Sequence, residues 1–144
     1  MSSVDGYIRN TFSDGELIVT NGDIGTEMYI ITQGEVEATK TVNGETIVLA
    51  RLKRGEFFGE MSLLEGMPRS ADVRAVGDTE VLSMSSGGLL LRIRRDPTFA
   101  LEMLQVFSSR LRHTTEMYEE EVIKRQALEQ QMQPVLVAEK GVNE

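Results

Sequence analysis

Cysteine is absent from all 144 residues, which excludes disulfides and thiolate metal sites. Histidine occurs once, at His113, so a metal centre built on several imidazoles is excluded as well. Basic residues are outnumbered 15 to 23, giving a formal net charge of −8. That balance argues against nonspecific nucleic-acid binding by the chain as a whole, so any phosphate must be held by a local positive site. No apolar run approaches the ~18 residues of a membrane-spanning helix, and no signal-peptide pattern opens the sequence. A soluble, cytoplasmic protein with no membrane partner is the expectation. What is present is a chain 40% apolar, enough for a real core in one domain of this length.

The first half is punctuated by glycine turns. Asp14-Gly15-Glu16, Asn21-Gly22-Asp23, Gln33-Gly34-Glu35, Asn43-Gly44-Glu45 and Arg54-Gly55-Glu56 alternate with short β-rich runs. Those runs are Leu17–Val19, Met28–Ile31, Val36–Val42 and Thr46–Leu52, and Asp72–Val76 and Glu80–Met84 read as two more strands. Asn43-Gly44 between two alternating runs is the strongest hairpin signal. Short strands at roughly 8–12-residue spacing predict a sandwich or a closed roll. Residues 1–11 read as a polar, weakly ordered, flexible start.

The second half is helical. Ser86–Arg95 predicts a short helix with Leu89, Leu90, Leu91 and Ile93 toward the core. Arg92, Arg94 and Arg95 then face solvent rather than nucleic acid. Asp96-Pro97 is a helix start, with a capping residue followed by proline at the first helical position. Proline and glycine do not recur until Pro134, which leaves a helical stretch from 97 to 133. Leu104, Phe107, Leu111, Thr114 and Tyr118 form a 3-4 stripe, interrupted at Glu121 and Arg125. One roll cannot bury such a stripe along its whole length, so parallel self-association into a homodimer through this helix is expected. Residues 134–144 read as a short flexible tail.

The chemistry concentrates in Arg54–Val73. Phe57 and Phe58 lead into Gly59, where the missing Cβ allows close approach to the backbone. Glu60-Met61-Ser62-Leu63-Leu64 can form one or two helical turns, whose first N–H groups favour an anion. Gly66 and Pro68 end that turn. Arg69 follows with a planar fork of donors suited to phosphate, and Ser70 adds a hydroxyl beside the small Ala71. One carboxylate, one guanidinium and a set of backbone donors suit a ligand with both hydroxyls and a phosphate.

Phe58-Gly59-Glu60-Met61-Ser62-Leu63-Leu64, then Pro68-Arg69-Ser70-Ala71, resembles the phosphate-binding cassette of the cyclic nucleotide-binding domain family, roughly F-G-E-[LIM]-[AS]-L-L … P-R-[AST]-A. The likeness extends over roughly Phe12 to Glu116, and Gly22, Gly25 and Gly34 fall where the family uses turn glycines. It implies a mainly β fold with α: an eight-stranded antiparallel, jelly-roll-like β-roll over 12–85, short helices, and a long C-terminal helix within 86–133. It also implies that Arg69 holds the exocyclic phosphate oxygens and that Glu60 accepts from the ribose 2′-hydroxyl. Backbone N–H groups of Met61, Ser62 and Ala71, with the Ser70 hydroxyl, complete the cradle. Arg110-Leu111-Arg112-His113-Thr114-Thr115-Glu116 is similar to the R-L-Q-V-T-S-E of the catabolite activator branch. Thr114 and Thr115 would then touch the base, one of them across a dimer. Two threonines on a solvated helix face are the plain alternative.

The expected function is a non-enzymatic sensor or regulatory domain that binds cAMP, or cGMP, with no cofactor and no metal, and that signals to an unidentified downstream protein. Ser70 is compatible with either nucleotide and fits the cAMP-binding activators. Two alternatives stand beside it. A cupin-like enzyme would need more histidines than His113. A degenerate module that dimerises without ligand would have lost Arg69 or Glu60, and both are present. Transcriptional members continue into a helix-turn-helix of about seventy further residues. This sequence ends at Glu144, so DNA binding does not carry over.

Overall fold

The computed structural model describes the backbone of residues 2–4 and 7–142 and the side chains of residues 7–132. The chain divides into two compact units, Met1–Asp96 and Pro97–Glu144.

The first unit is an antiparallel sheet of seven strands with two helices. Its strands are β1 (Ser2–Val4), β2 (Tyr7–Phe12), β3 (Leu17–Val19), β4 (Met28–Val42), β5 (Glu45–Lys53), β6 (Phe57–Phe58) and β7 (Asp72–Met84). The main path runs β1-β2-β7-β4-β5, while β3 pairs with β7 and β6 with β4. The mainly β, roll-type architecture with helices matches the expectation. The strands are partitioned differently, because two pairs of short runs fuse. Met28–Ile31 and Val36–Val42 are one 15-residue strand, and the two runs within 72–84 are one 13-residue strand.

The fusion is made by bulges. The β4–β7 register shifts on both sides of Gln33, between Ile31 and Glu35. Gly34 there has φ 83, and a Cβ on it would run into the Asp78 carbonyl oxygen and lie 2.7 Å from Thr79 Oγ1. Gln33-Gly34-Glu35 is therefore a bend inside a continuous strand, not the strand-ending turn that its composition suggests. Asn43-Gly44 behaves as expected. Both residues have positive φ, 51 and 80, and they close the β4–β5 hairpin with Val42 opposite Glu45.

The start of the chain corrects the expectation of a flexible lead-in over 1–11. Tyr7–Phe12 pairs residue for residue with β7, from Tyr7↔Met84 to Phe12↔Thr79, and Ser2–Val4 pairs with β2 in turn. The edge of the long β7 needs a partner for its backbone groups, and this segment supplies it. The core beneath consists of Ile31, Val36, Phe58, Val73 and Val81, with Phe12, Ile18, Tyr29 and Leu52 packed around it.

Helix α1 (Glu60–Glu65) is a six-residue turn, and α2 (Ser86–Arg95) is capped by Ser85, whose hydroxyl accepts from Gly88 N at 3.2 Å. Leu89 of α2 is buried, but Leu90 is exposed, which corrects its expected place in the core. Arg92, Arg94 and Arg95 are exposed as expected.

The second unit is helix α3 (Thr98–Val142), 45 residues long. At 1.5 Å per residue that is about 67 Å of helix. It continues past Gln133, where the expected helix stops, so the backbone of 134–142 is not a flexible tail; the side chains there lie outside the described residues. Pro134 lies inside this helix, where a proline removes one helical hydrogen bond. Among the described residues no helix is long and apolar enough to cross a membrane.

Candidate functional site

The cassette sits where β6 hands over to α1. Phe57 and Phe58 are both buried, and β6 pairs with β4 as Tyr29↔Phe58 and Ile30↔Phe57. The Phe58 ring stacks on Tyr29, with centroids 5.1 Å apart and planes 18° apart. This pins the N-terminal end of α1 to the sheet. Gly59, at φ 82, turns the chain into the helix and makes no side-chain cap, and Gly66, at φ 67, turns it out again. Ser62 is buried, Glu60 half-buried and Met61 exposed. Beyond the helix Arg69 and Ala71 are buried, and Ser70 is exposed.

Arg69 is the centre of the arrangement. It is only 7% exposed. Nη1 donates to the Glu27 carbonyl at 2.8 Å and to the Gly59 carbonyl at 3.3 Å. The guanidinium carbon lies 5.5 Å from the centroid of the Tyr29 ring. The partners described for this cation are thus dipoles and an aromatic face, which orient a charge without cancelling it. Burial pushes the Tyr29 hydroxyl above its ordinary pKa, against the Arg69 cation, which pulls it down.

The loop between β3 and β4 clasps the same residue by its backbone. Gly22 N donates to the Arg69 carbonyl and Arg69 N to the Asp23 carbonyl, both at 2.8 Å. Asn21 N donates to Asp72 Oδ1 at 2.7 Å, tying the loop to the start of β7. An open depression of about 310 Å³ lies on this side of Arg69, walled by Val19, Thr20, Asp23, Thr26, Glu27 and Tyr29 among others. Residues of α1, Ser70 and Ala71 are not in its walls.

The structure therefore brings Phe58, Gly59 and Arg69 together directly. Glu60, Met61 and Ser62 follow Gly59 without a break, and Ser70 and Ala71 adjoin Arg69. Thr114 and Thr115 belong to the second unit. Each is exposed, and each hydroxyl donates back into its own helix, to Arg110 O at 3.0 Å and Leu111 O at 2.9 Å. Sequence reasoning missed Tyr29 and Glu27 as neighbours of the cation, and it took Gly25 for a turn glycine. Tyr29 carried no signal beyond strand alternation. Among the described residues no cluster of three or more His, Cys, Asp or Glu could hold a metal ion.

The family model of the cyclic nucleotide-binding domain matches residues 9–96, from within β2 through β7 with α1 and α2. The chain belongs to that family. Among its relatives, the cyclic AMP receptor protein of Thermus thermophilus is 39% identical over 107 residues, which cover 74% of this chain and 50% of that protein. Among solved structures, the catabolite activator protein of Thermus thermophilus superposes with a TM-score of 0.72 at 36% identity, covering 78% of this chain and 54% of that one. The regulatory domain of Toxoplasma gondii PKA, crystallised with cAMP, superposes with a TM-score of 0.59 at 27% identity, covering 72% of this chain and 39% of that one. The cyclic nucleotide-binding domain described here thus spans about half the length of the Thermus relative or less of the others. The cassette segment and Arg69 fall inside the matched region, and Thr114 and Thr115 fall outside the family model.

Proposed function

We infer that this domain binds a cyclic nucleotide, cAMP in the first place and cGMP in the second, and that it works as a sensor or regulatory domain. One observation carries the reading. A buried arginine inside an F-G-E…P-R-S-A cassette is held by carbonyl dipoles and a ring face, and an anion completes its electrostatics. In this assignment the exocyclic phosphate takes the fork of Arg69. The first-turn N–H groups at Met61 and Ser62, the Ala71 N–H and the Ser70 hydroxyl cradle the phosphate ring. Glu60 accepts from the ribose 2′-hydroxyl, and Phe58 and Gly59 shape the wall behind the sugar. Thr114 and Thr115 would exchange their intrahelical bonds for the base edge, accepting from the N6 amine and donating to a ring nitrogen.

A homodimer through α3 belongs to the same reading. Leu104, Leu111 and Tyr118 recur at seven-residue intervals and are 63%, 69% and 70% exposed. An apolar stripe of that length on a lone helix is covered by a second copy in a coiled-coil pairing. In this assignment the ligand acts by binding two states of the domain unequally. The reading is tested by calorimetric titration of the protein with cAMP and with cGMP, alongside the melting temperature at each ligand concentration. Tight binding of cAMP and a rise in melting temperature are expected. Absence of heat and of any melting shift with both nucleotides would leave a dimerising module without ligand, and the proposal would fall.

A further inference from the structure

We propose that four charged residues of α3, Glu121, Lys124, Arg125 and Glu129, fix the register and the parallel direction in which two copies of this helix pair, a role that rests on the dimer reading above. Taken as heptads, Leu104, Leu111, Tyr118, Arg125 and Met132 share one core position, and Phe107, Thr114, Glu121 and Leu128 share the other. Glu121 and Arg125 break the apolar stripe, yet the frame does not shift at the break. It resumes at Leu128 and Met132, both exposed. Two successive core positions therefore hold opposite charges inside one continuous seam. Glu121 and Arg125 stand four residues apart, in the order that favours a pair within one helix. Among the described residues, however, all four charged side chains are exposed and none joins an ion pair of its own chain. Their charges are open to a partner.

A second copy of this chain supplies the complement. In a parallel, in-register pairing the Glu121 layer and the Arg125 layer are adjacent, about 6 Å apart along the axis. Each carboxylate then meets the guanidinium of the other copy, twice by symmetry. These pairs offset the repulsion between like charges within each layer. Lys124 and Glu129 occupy the two flanking positions, which face each other across a parallel pair and carry its ion pairs. A slip of one heptad sets Glu121 against Leu128 and Arg125 against Met132, and it parts Lys124 from Glu129. An antiparallel pairing centred on the same charges keeps Glu121 near Arg125, but it sets Lys124 against Lys124 of the other copy. Only the parallel, in-register pairing satisfies all four. Ion pairs inside an interface add little net stability, and fixing register is their best-attested use.

The test measures Lys124→Glu and Glu129→Lys, separately and mixed, by analytical ultracentrifugation at low salt. Each variant alone places two like-charge pairs in its homodimer, and its dissociation constant should rise on the order of tenfold. The equimolar mixture restores both pairs and should dimerise within about threefold of the parent. Glu121→Arg should weaken the dimer more, on the order of a hundredfold, and adding Arg125→Glu to it should recover the dimer. Glu129 has no charged partner in the antiparallel arrangement, so a parent-like homodimer of Glu129→Lys overturns the proposal while the dimer stands. A mixture that dimerises no more tightly than its components overturns it as well. A parent that stays monomeric removes the dimer reading, and this proposal goes with it.

Discussion

Replacing Arg69 by alanine separates what this side chain does for the ligand from what it does for the fold. In the fold it donates from Nη1 to two carbonyls and covers the Tyr29 face while nearly buried. Losing the donor leaves two acceptors short, at about 1–3 kcal/mol each. Removing a buried cation relieves a desolvation cost of similar size, so the net change in the ligand-free domain stays within about 2 kcal/mol. That corresponds to a melting shift of roughly 4–8 °C. For the ligand nothing offsets the loss. Charge-assisted hydrogen bonds contribute about 1.5–3 kcal/mol apiece, and a forked contact to a phosphate makes the total about 2–4 kcal/mol. Affinity for cAMP should fall by about 30- to 1,000-fold. Arg69→Lys keeps the charge but not the fork, and its affinity should lie between the two. Calorimetry gives the affinity and a ligand-free thermal melt gives the stability. An Arg69→Ala protein that melts as a folded domain and binds cAMP within about threefold of the parent, a difference well under 1 kcal/mol, would refute the assignment of the cation.

Three further outcomes follow from the same structure. Gly34→Ala places a side chain at φ 83 against the Asp78 carbonyl and Thr79; it should cost more than about 2 kcal/mol in denaturant unfolding, and a cost under about 0.5 kcal/mol would mean that the bulge does not set the bend. Burial holds the Tyr29 hydroxyl protonated in the folded state to higher pH than in the unfolded chain, so its contribution to stability is present below pH ~10 and is lost as pH rises further. Tyr29→Phe should abolish that part of the alkaline loss, and Arg69→Ala should push the Tyr29 titration still higher in a spectrophotometric titration; a Tyr29 that titrates normally would contradict the packing. Leu111→Glu places charge on the exposed stripe of α3 and should convert a dimer to a monomer in analytical ultracentrifugation, and a dimer that survives it does not run through this stripe.

The F-G-E…P-R-S-A segment stands out in the sequence because its residues are local to one another. Gly59, Glu60, Ser62, Arg69, Ser70 and Ala71 lie within thirteen consecutive positions. The turn preferences of glycine and proline dictate most of their backbone. Asn43-Gly44 was legible for the same reason, since two adjacent positive φ values are a property of those two residues. Other glycines looked alike in the sequence and differ in the fold. Gly22 turns the chain at φ 88, Gly34 bends a strand, and Gly25 lies against the Arg69 guanidinium.

From the sequence alone come the family, the β-rich first part with its hairpin, the cassette and the long helix, because each is written in short-range propensity and spacing. Only the tertiary structure decided that Tyr7–Phe12 is a strand, since its partner begins and ends about seventy residues away along β7. The same holds for the surroundings of Arg69. Glu27 is 42 residues from it in the chain, and no local preference can report that a carbonyl, a ring and two bare glycines converge on one charge. Such convergence exists only after the strands have paired and brought distant backbone to within hydrogen-bond reach.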